Sequence, residues 1–179
     1  MLRQRHRFQP LLRFALILRV PGKDAIWKCL QVDLGCALDR RFVECRRLLA
    51  ELNHQLIADE LHRNQMNIAE LEVRMKNWLE EAYEAVLFDV GGELVAYALY
   101  RVQSGEIYLR HFFVARHRRR QGIGREAMAL LRDHIWPKVE RLTVSVLVHN
   151  QAAVSFWRAM GYRDYCLTLE IVRQPGARE

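Results

Sequence analysis

Residues 116–125 read Arg-His-Arg-Arg-Arg-Gln-Gly-Ile-Gly-Arg, with five arginines, two glycines and no acid. A β-like run over residues 107–114 precedes them and a helical run over residues 125–135 follows. Strand, basic Gly-rich turn and helix together make a binding site for a phosphate chain. Glycines allow the backbone to turn successive N–H groups inward as a nest. The helix N-terminus adds unpaired N–H groups and the positive end of its dipole. Arginines attract the anion from a distance. The chemistry expected is therefore capture of a pyrophosphate-bearing ligand. Gly122, Gly124 and Ala127 also fit the dinucleotide pattern G-x-G-x-x-A. That reading requires an acid at the end of the next strand, and residues 142–148 lead into His149 and Asn150 instead. It also requires the motif after the first strand of a parallel sheet, whereas here it stands in the C-terminal half.

Arg119, Arg120, Gln121, Gly122, Ile123 and Gly124 resemble the R/Q-x-x-G-x-G/A acyl-CoA loop of the GNAT superfamily of N-acetyltransferases. A second block is similar to another motif of that superfamily. Asn150 follows a strand-like run, Ala153 stands three residues on, Phe156 and Trp157 form an aromatic pair, and Gly161 precedes Tyr162. The blocks stand in the right order, and the resemblance covers residues 40–173. It implies an α+β fold, a single GNAT-like domain with a mixed, mostly antiparallel twisted sheet of six or seven strands and about four helices. It implies acetyl-CoA as cosubstrate and acetyl transfer to a primary amine by direct attack in a ternary complex.

The resemblance also assigns residues. Main-chain N–H groups from Arg119 to Arg125 hold the pyrophosphate. Main-chain groups of Phe113 and Val114 face the pantetheine and the acetyl carbonyl, and an N–H there stabilises the oxyanion. Asn150 contacts the pantetheine or caps the helix it precedes. Trp157 stands where many members carry a tyrosine that protonates the leaving thiolate. An indole N–H is a donor but not a useful acid. Candidates for the general base are Glu106, Tyr108, which falls where some members place a catalytic Glu, and His111, whose ordinary pKa suits the task, with a water chain as the alternative. Tyr108 and His111 point to opposite faces of a regular strand, and a bulge would change that. Among residues 59–64, Asp59 and Glu60 are candidates to hold a cationic amine and Arg63 a carboxylate, with His62 also expected at the acceptor site.

Residues 12–20 and 26–32 read as strands. Residues 42–62 carry the helical stripe Leu48, Leu49, Leu52, Leu56, Ile57 and Leu61. Asn67 with Glu70 predicts a capping box opening a second helix. Residues 84–90 and 93–101 form a hairpin on Gly91-Gly92. A strand over 106–114, the basic loop, a helix, a strand over 142–148, a helix over 152–160 and a strand over 162–172 complete the order. Residues 1–35 are expected as a basic extension that includes the first strand, and residues 36–179 as the acetyltransferase domain.

The chain has 179 residues, 51% of them hydrophobic and 27% charged, and a net charge of +7. Arg3, Arg5, Arg7, Arg13 and Arg19, with no acid among residues 1–20, account for most of that charge. A general nucleic-acid surface is therefore not expected, although the leader gives some support to an aminoacyl-tRNA acceptor. Cys29, Cys36, Cys45 and Cys166 lack metal or disulfide spacing. No metal is expected, and free thiols point to the cytoplasm. No stretch approaches the ~18 apolar residues of a membrane span. The acceptor is a small molecule or a protein amine, with a homodimer left open. The alternative is an acyl-CoA-binding module without turnover.

Overall fold

The computed structural model describes residues 13–17, 27–28 and 38–171, with side chains from residue 46 onward. The chain divides into two units, one ending at Leu147 and one beginning at Val148. The first contains β1 (Arg13–Ile17), β2 (Trp27–Lys28), α1 (Leu38–Asp59), α2 (Ile68–Glu81), β3 (Glu84–Val90), β4 (Glu93–Gln103), β5 (Glu106–Val114), α3 (Ile123–Leu130) and β6 (Arg141–Val144). The second contains α4 (Gln151–Ala159).

Leu49, Leu52 and Leu56 recur at helical spacing along α1 and are buried, as are Leu71, Met75 and Leu79 along α2. The capping box is present. The Asn67 side chain accepts the Glu70 N–H at 3.0 Å, and the Glu70 carboxylate accepts the Asn67 N–H at 2.8 Å. The β3–β4 hairpin turns on Gly91 and Gly92, at φ +64° and +86°. Two successive positive φ values are the type I′ geometry that matches strand twist.

The sheet order is β2-β1-β3-β4-β5-β6, with β5 and β6 parallel and every other neighbouring pair antiparallel. Residues Val95 to Tyr100 of β4 are all buried, because this central strand is covered on both faces. One face carries Ala85, Leu87, Tyr97, Leu99 and Phe113 against the apolar stripes of α1 and α2. Across the other lies α3, which packs on β4 and β5, with Trp136 edge-on to Tyr100 at 5.5 Å.

Several expectations are corrected. Of the six strands in this order, only β3 to β6 have described side chains. Residues 162–171 form no strand: Tyr165, Leu167, Leu169 and Ile171 alternate in sequence but are exposed. The strand after the helix of the basic loop, β6, stops at Val144 rather than residue 148. The helix after the loop starts at Ile123 and closes with a π-helical turn, Leu131–Ile135, where the Trp136 N–H reaches the Leu131 carbonyl at 2.7 Å. Of the expected extension, residues 1–12, 18–26 and 29–35 lie outside the described residues, while β1 pairs with β3.

Candidate functional site

The basic loop is built by two left-handed residues. Arg120 has φ +62° and Gly122 φ +89°, and α3 begins directly after Gly122. Arg118 and Arg119 donate their N–H groups to Ala115 and Arg116 carbonyls, and the ladder resumes with Arg125 N–H to Gly122 O at 3.0 Å. Between them, the N–H groups of residues 120–124 have no hydrogen-bond acceptor among the described residues. Five consecutive donors at a helix start form an anion cradle.

The strand feeding this loop loses a neighbour along its length. Pairing of β5 with β6 runs from Glu106↔Arg141 to Leu109↔Val144 and stops, while β5 continues to Val114. The Ala115 N–H bonds Val95 O at 2.8 Å, so Ala115 turns its polar groups toward β4. By alternation those of Val114 point the other way, into the gap beyond β6. There the Val114 carbonyl accepts Arg119 Nε at 2.8 Å.

The arginines divide into two sets. Arg116 and Arg119 both pair with Asp59, at the end of α1, whose side chain is only 6% exposed. Arg118 pairs with Glu93, which also takes His117 Nε2 at 2.6 Å. Those two partners hold the Glu93 carboxyl well down, at about 2. Gln121 Nε2 donates to the His117 carbonyl at 2.8 Å. Arg120 and Arg125 have no partner among the described residues. Three of the five guanidinium groups thus fix the loop, leaving two for a ligand.

The family model for the GNAT acetyltransferases matches residues 45–162. The chain belongs to the GNAT acetyltransferase family. No curated protein sequence matches it. Its fold is similar to an acetyltransferase from Thermus thermophilus, at 20% identity over 68% of this chain and 82% of that one, TM-score 0.58. It is similar to the ribosomal-protein-alanine N-acetyltransferase from Brucella melitensis biovar Abortus 2308, at 14% identity over 92% and 100%, TM-score 0.57. It is also similar to the aminoglycoside N-acetyltransferase AAC(6')-Iy solved with CoA, at 11% identity over 93% and 96%, TM-score 0.58. At these identities the likeness is one of fold.

On the helical face of this GNAT sheet, β5 carries a bulge. Leu99 pairs with His111 and Tyr100 with Leu109, so Arg110 is the extra residue. Directly paired residues share a face, so Tyr108 (opposite Arg101), His111 and Phe113 all point toward α1 and α2. The opposite-face expectation for Tyr108 and His111 is corrected by this one residue. The Tyr108 hydroxyl donates to Ser145 Oγ at 3.4 Å, just past the end of β6.

His111 Nδ1 shares a hydrogen bond of 3.2 Å with the Tyr97 hydroxyl, and its ring meets Trp78 edge-on at 5.4 Å. Burial lowers the His111 pKa to about 3, aided by the charges of Arg110, Arg74 and His62. Burial likewise pushes the Tyr97 phenol up, and the nearby Glu60 adds to the shift. Asn53, 1% exposed, accepts Arg74 Nη2 at 2.7 Å. Asn53, Arg74, Tyr97, Trp78 and Arg110 are absent from the sequence-based candidates. The one clue to them in the sequence is Asn53, a polar residue inside the buried stripe of α1.

A cleft of about 430 Å³ opens where α1 gives way to α2, lined by His54, Ile57, Leu61, His62, Asn64 and Met66 among others. Its wall is shaped by side chains bonding to backbone. The Asn64 N–H donates to His62 Nδ1 at 3.0 Å and the Met66 N–H to Asn64 Oδ1 at 2.9 Å. Of the expected acceptor contacts, His62 lines the cleft, while Glu60 and Arg63 lie on the same connection without lining it. Asp59 is taken by the basic loop.

In the second unit, Asn150 caps α4: its Oδ1 accepts the Ala153 N–H at 3.1 Å. Trp157 is 7% exposed and packs against the rings of Phe156 and Tyr162, at 5.0 and 5.1 Å. Among the described residues there is no cluster of metal-ligating side chains, and no helix is long and apolar enough to cross a membrane.

Proposed function

We propose that this GNAT chain is an N-acetyltransferase that uses acetyl-CoA and a primary amine in a ternary complex. The observation that carries the reading is the cradle of unbonded N–H groups over residues 120–124, at the start of α3. Acetyl-CoA supplies an acetyl thioester, whose C–S bond gives way to a C–N bond on the acceptor. The cradle holds the pyrophosphate, with Arg120 and Arg125 as the available cations. Val114 provides main-chain groups along the gap beyond β6, whereas those of Phe113, by the same alternation, turn toward Tyr97 of β4. The Val114 N–H, directed there by alternation, stabilises charge on the thioester oxygen. No cysteine or serine occupies a nucleophile motif, so the amine attacks directly.

The ammonium must lose a proton first. An imidazole held near 3 is a poor acceptor for it. His111 is accordingly assigned to orient the Tyr97 hydroxyl, and the proton passes to water, with Tyr108 as the remaining side chain on that face. Asn150 serves as a cap that fixes the turn into α4, and Trp157 as a packing residue. Two of the similar structures are, by name, acetyltransferases of a ribosomal-protein alanine and of an aminoglycoside, which supports an amine acceptor without choosing one.

A non-catalytic acyl-CoA-binding module is the second reading, favoured by Trp157 in the tyrosine position and by the weakly basic His111. Thiol release separates the two. Purified chain with acetyl-CoA and a panel of primary amines should liberate free thiol steadily and only with amine present. Binding of acetyl-CoA without release for any amine would establish the module instead.

A further inference from the structure

Two guanidinium groups on the helical face have no anionic partner among the described residues. Arg74, from α2, stacks on the Trp78 ring at 4.7 Å, and Arg110, the bulge residue of β5, stacks on the same ring at 4.2 Å. Their hydrogen bonds go to neutral groups: Arg74 to Asn53 Oδ1 and Met66 Sδ, and Arg110 to the Tyr83 hydroxyl at 3.5 Å. Neither meets a carboxylate among the described residues. Elsewhere in the same unit, Arg116, Arg118 and Arg119 each pair with a carboxylate, Asp59 or Glu93. Two like charges held on one ring repel each other, and Arg74 is also partly desolvated. The pair leaves guanidinium donors that no described carboxylate takes up.

Its position tells which anion. Arg74 contacts Met66, which lines the cleft between α1 and α2, and both guanidinium groups act on His111 together with the cleft residue His62. Guanidinium forks suit carboxylate and phosphate groups. Glu60, which acts on Tyr97, offers an anion for an ammonium, while the two guanidinium groups offer cations for an oxyanion. An acceptor with an oxyanion near its amine would be drawn in, and the same positive field would lower the pKa of its ammonium.

We propose that Arg74 and Arg110, both stacked on Trp78, bind the anionic group of an acceptor that carries both a primary amine and a carboxylate or phosphate. The inference rests on the acetyltransferase reading above, and its test separates the two. Acetyl transfer is compared within matched pairs: each standard amino acid against its carboxamide, and phosphoethanolamine against ethanolamine. These pairs also distinguish a carboxylate from a phosphate. In parallel, tryptophan emission is followed as glutamate or inorganic phosphate is added without acetyl-CoA, with Trp78→Phe as the control. Acetyl-CoA affinity is measured by calorimetry on the same preparation.

The expected result is at least about tenfold higher kcat/KM for the acidic member of a pair, lost in Arg110→Gln through KM and partly restored in Arg110→Lys. Arg110 is exposed, so its replacement leaves the core intact. Acetyl-CoA affinity should be unchanged in both variants. The emission change should vanish in Trp78→Phe. Equal use of both members of every pair, or no use of any while acetyl-CoA binds, overturns the proposal. So does an equal loss for both members in Arg110→Gln. A failure of acetyl-CoA to bind, with the Trp78 response intact, overturns the acetyltransferase reading and leaves the anion site standing.

Discussion

Gly122 and Gly124 stand two residues apart and serve different ends. Gly122 sits at φ +89°, a conformation that costs an L-residue roughly 1–2 kcal/mol. Gly124 lies within α3 and carries no positive φ. The fold has no conformational need of glycine there, so the need is attributed to the ligand, whose phosphates approach the N–H groups of that turn. Gly122→Ala should therefore lower unfolding stability in urea by about that amount. Gly124→Ala should hold it level or raise it by about 0.5–1 kcal/mol, the helix preference for alanine. His111 gives a second residue-scale prediction. Unfolded, it titrates near 6.5; folded, near 3. Between those values the unfolded chain binds the extra proton, so stability falls as pH drops through that window. Urea unfolding at about pH 7 and about pH 4.5 should show a larger acid loss in the wild type than in His111→Gln. An equal loss would mean that His111 takes up its proton normally in the folded chain.

Between elements, the basic loop hangs on α1 as much as on its own strand. Asp59, nearly buried, receives Arg116 and Arg119, and Arg119 in turn holds the Val114 carbonyl. Asp59→Asn keeps the shape and removes the charge. It should loosen the loop and weaken acetyl-CoA binding several-fold, whereas Glu106→Gln, which affects only the exposed Arg141 pair, should not. Equal binding in Asp59→Asn and the wild type would show that the cradle is rigid without α1. This anchor was illegible in the sequence, where Asp59 reads as one acid among several polar residues at a helix end. The pairing joins residues 57 and 60 positions apart. Elements with local signals were legible: the Asn67 box, the Gly91-Gly92 turn and the glycine loop each depend on neighbours in the chain. The Arg110 bulge was not, because no glycine or proline marks it, and its effect, turning His111 onto the face of Tyr108, needs the register with β4. Residues 162–171 show the converse, an alternating pattern that forms no strand.

At the scale of the whole molecule, the family assignment rests on a match over residues 45–162, and the cofactor reading on what the first unit offers by itself. A chain of +7 net charge invites an electrostatic account of anion binding. The ion pairs narrow that account, since Arg116, Arg118 and Arg119 are engaged by Asp59 and Glu93 and the main chain, with Arg120 and Arg125, is left as the donor set. The most direct test is calorimetric titration of the full chain with acetyl-CoA, beside Gly124→Ala and Gly124→Val of matched stability. The account predicts a dissociation constant on the order of micromolar, near −8 kcal/mol, weakened in Gly124→Ala and abolished in Gly124→Val. Unchanged affinity in Gly124→Val, or no heat with the wild type at millimolar ligand, would contradict the cradle as the acetyl-CoA site.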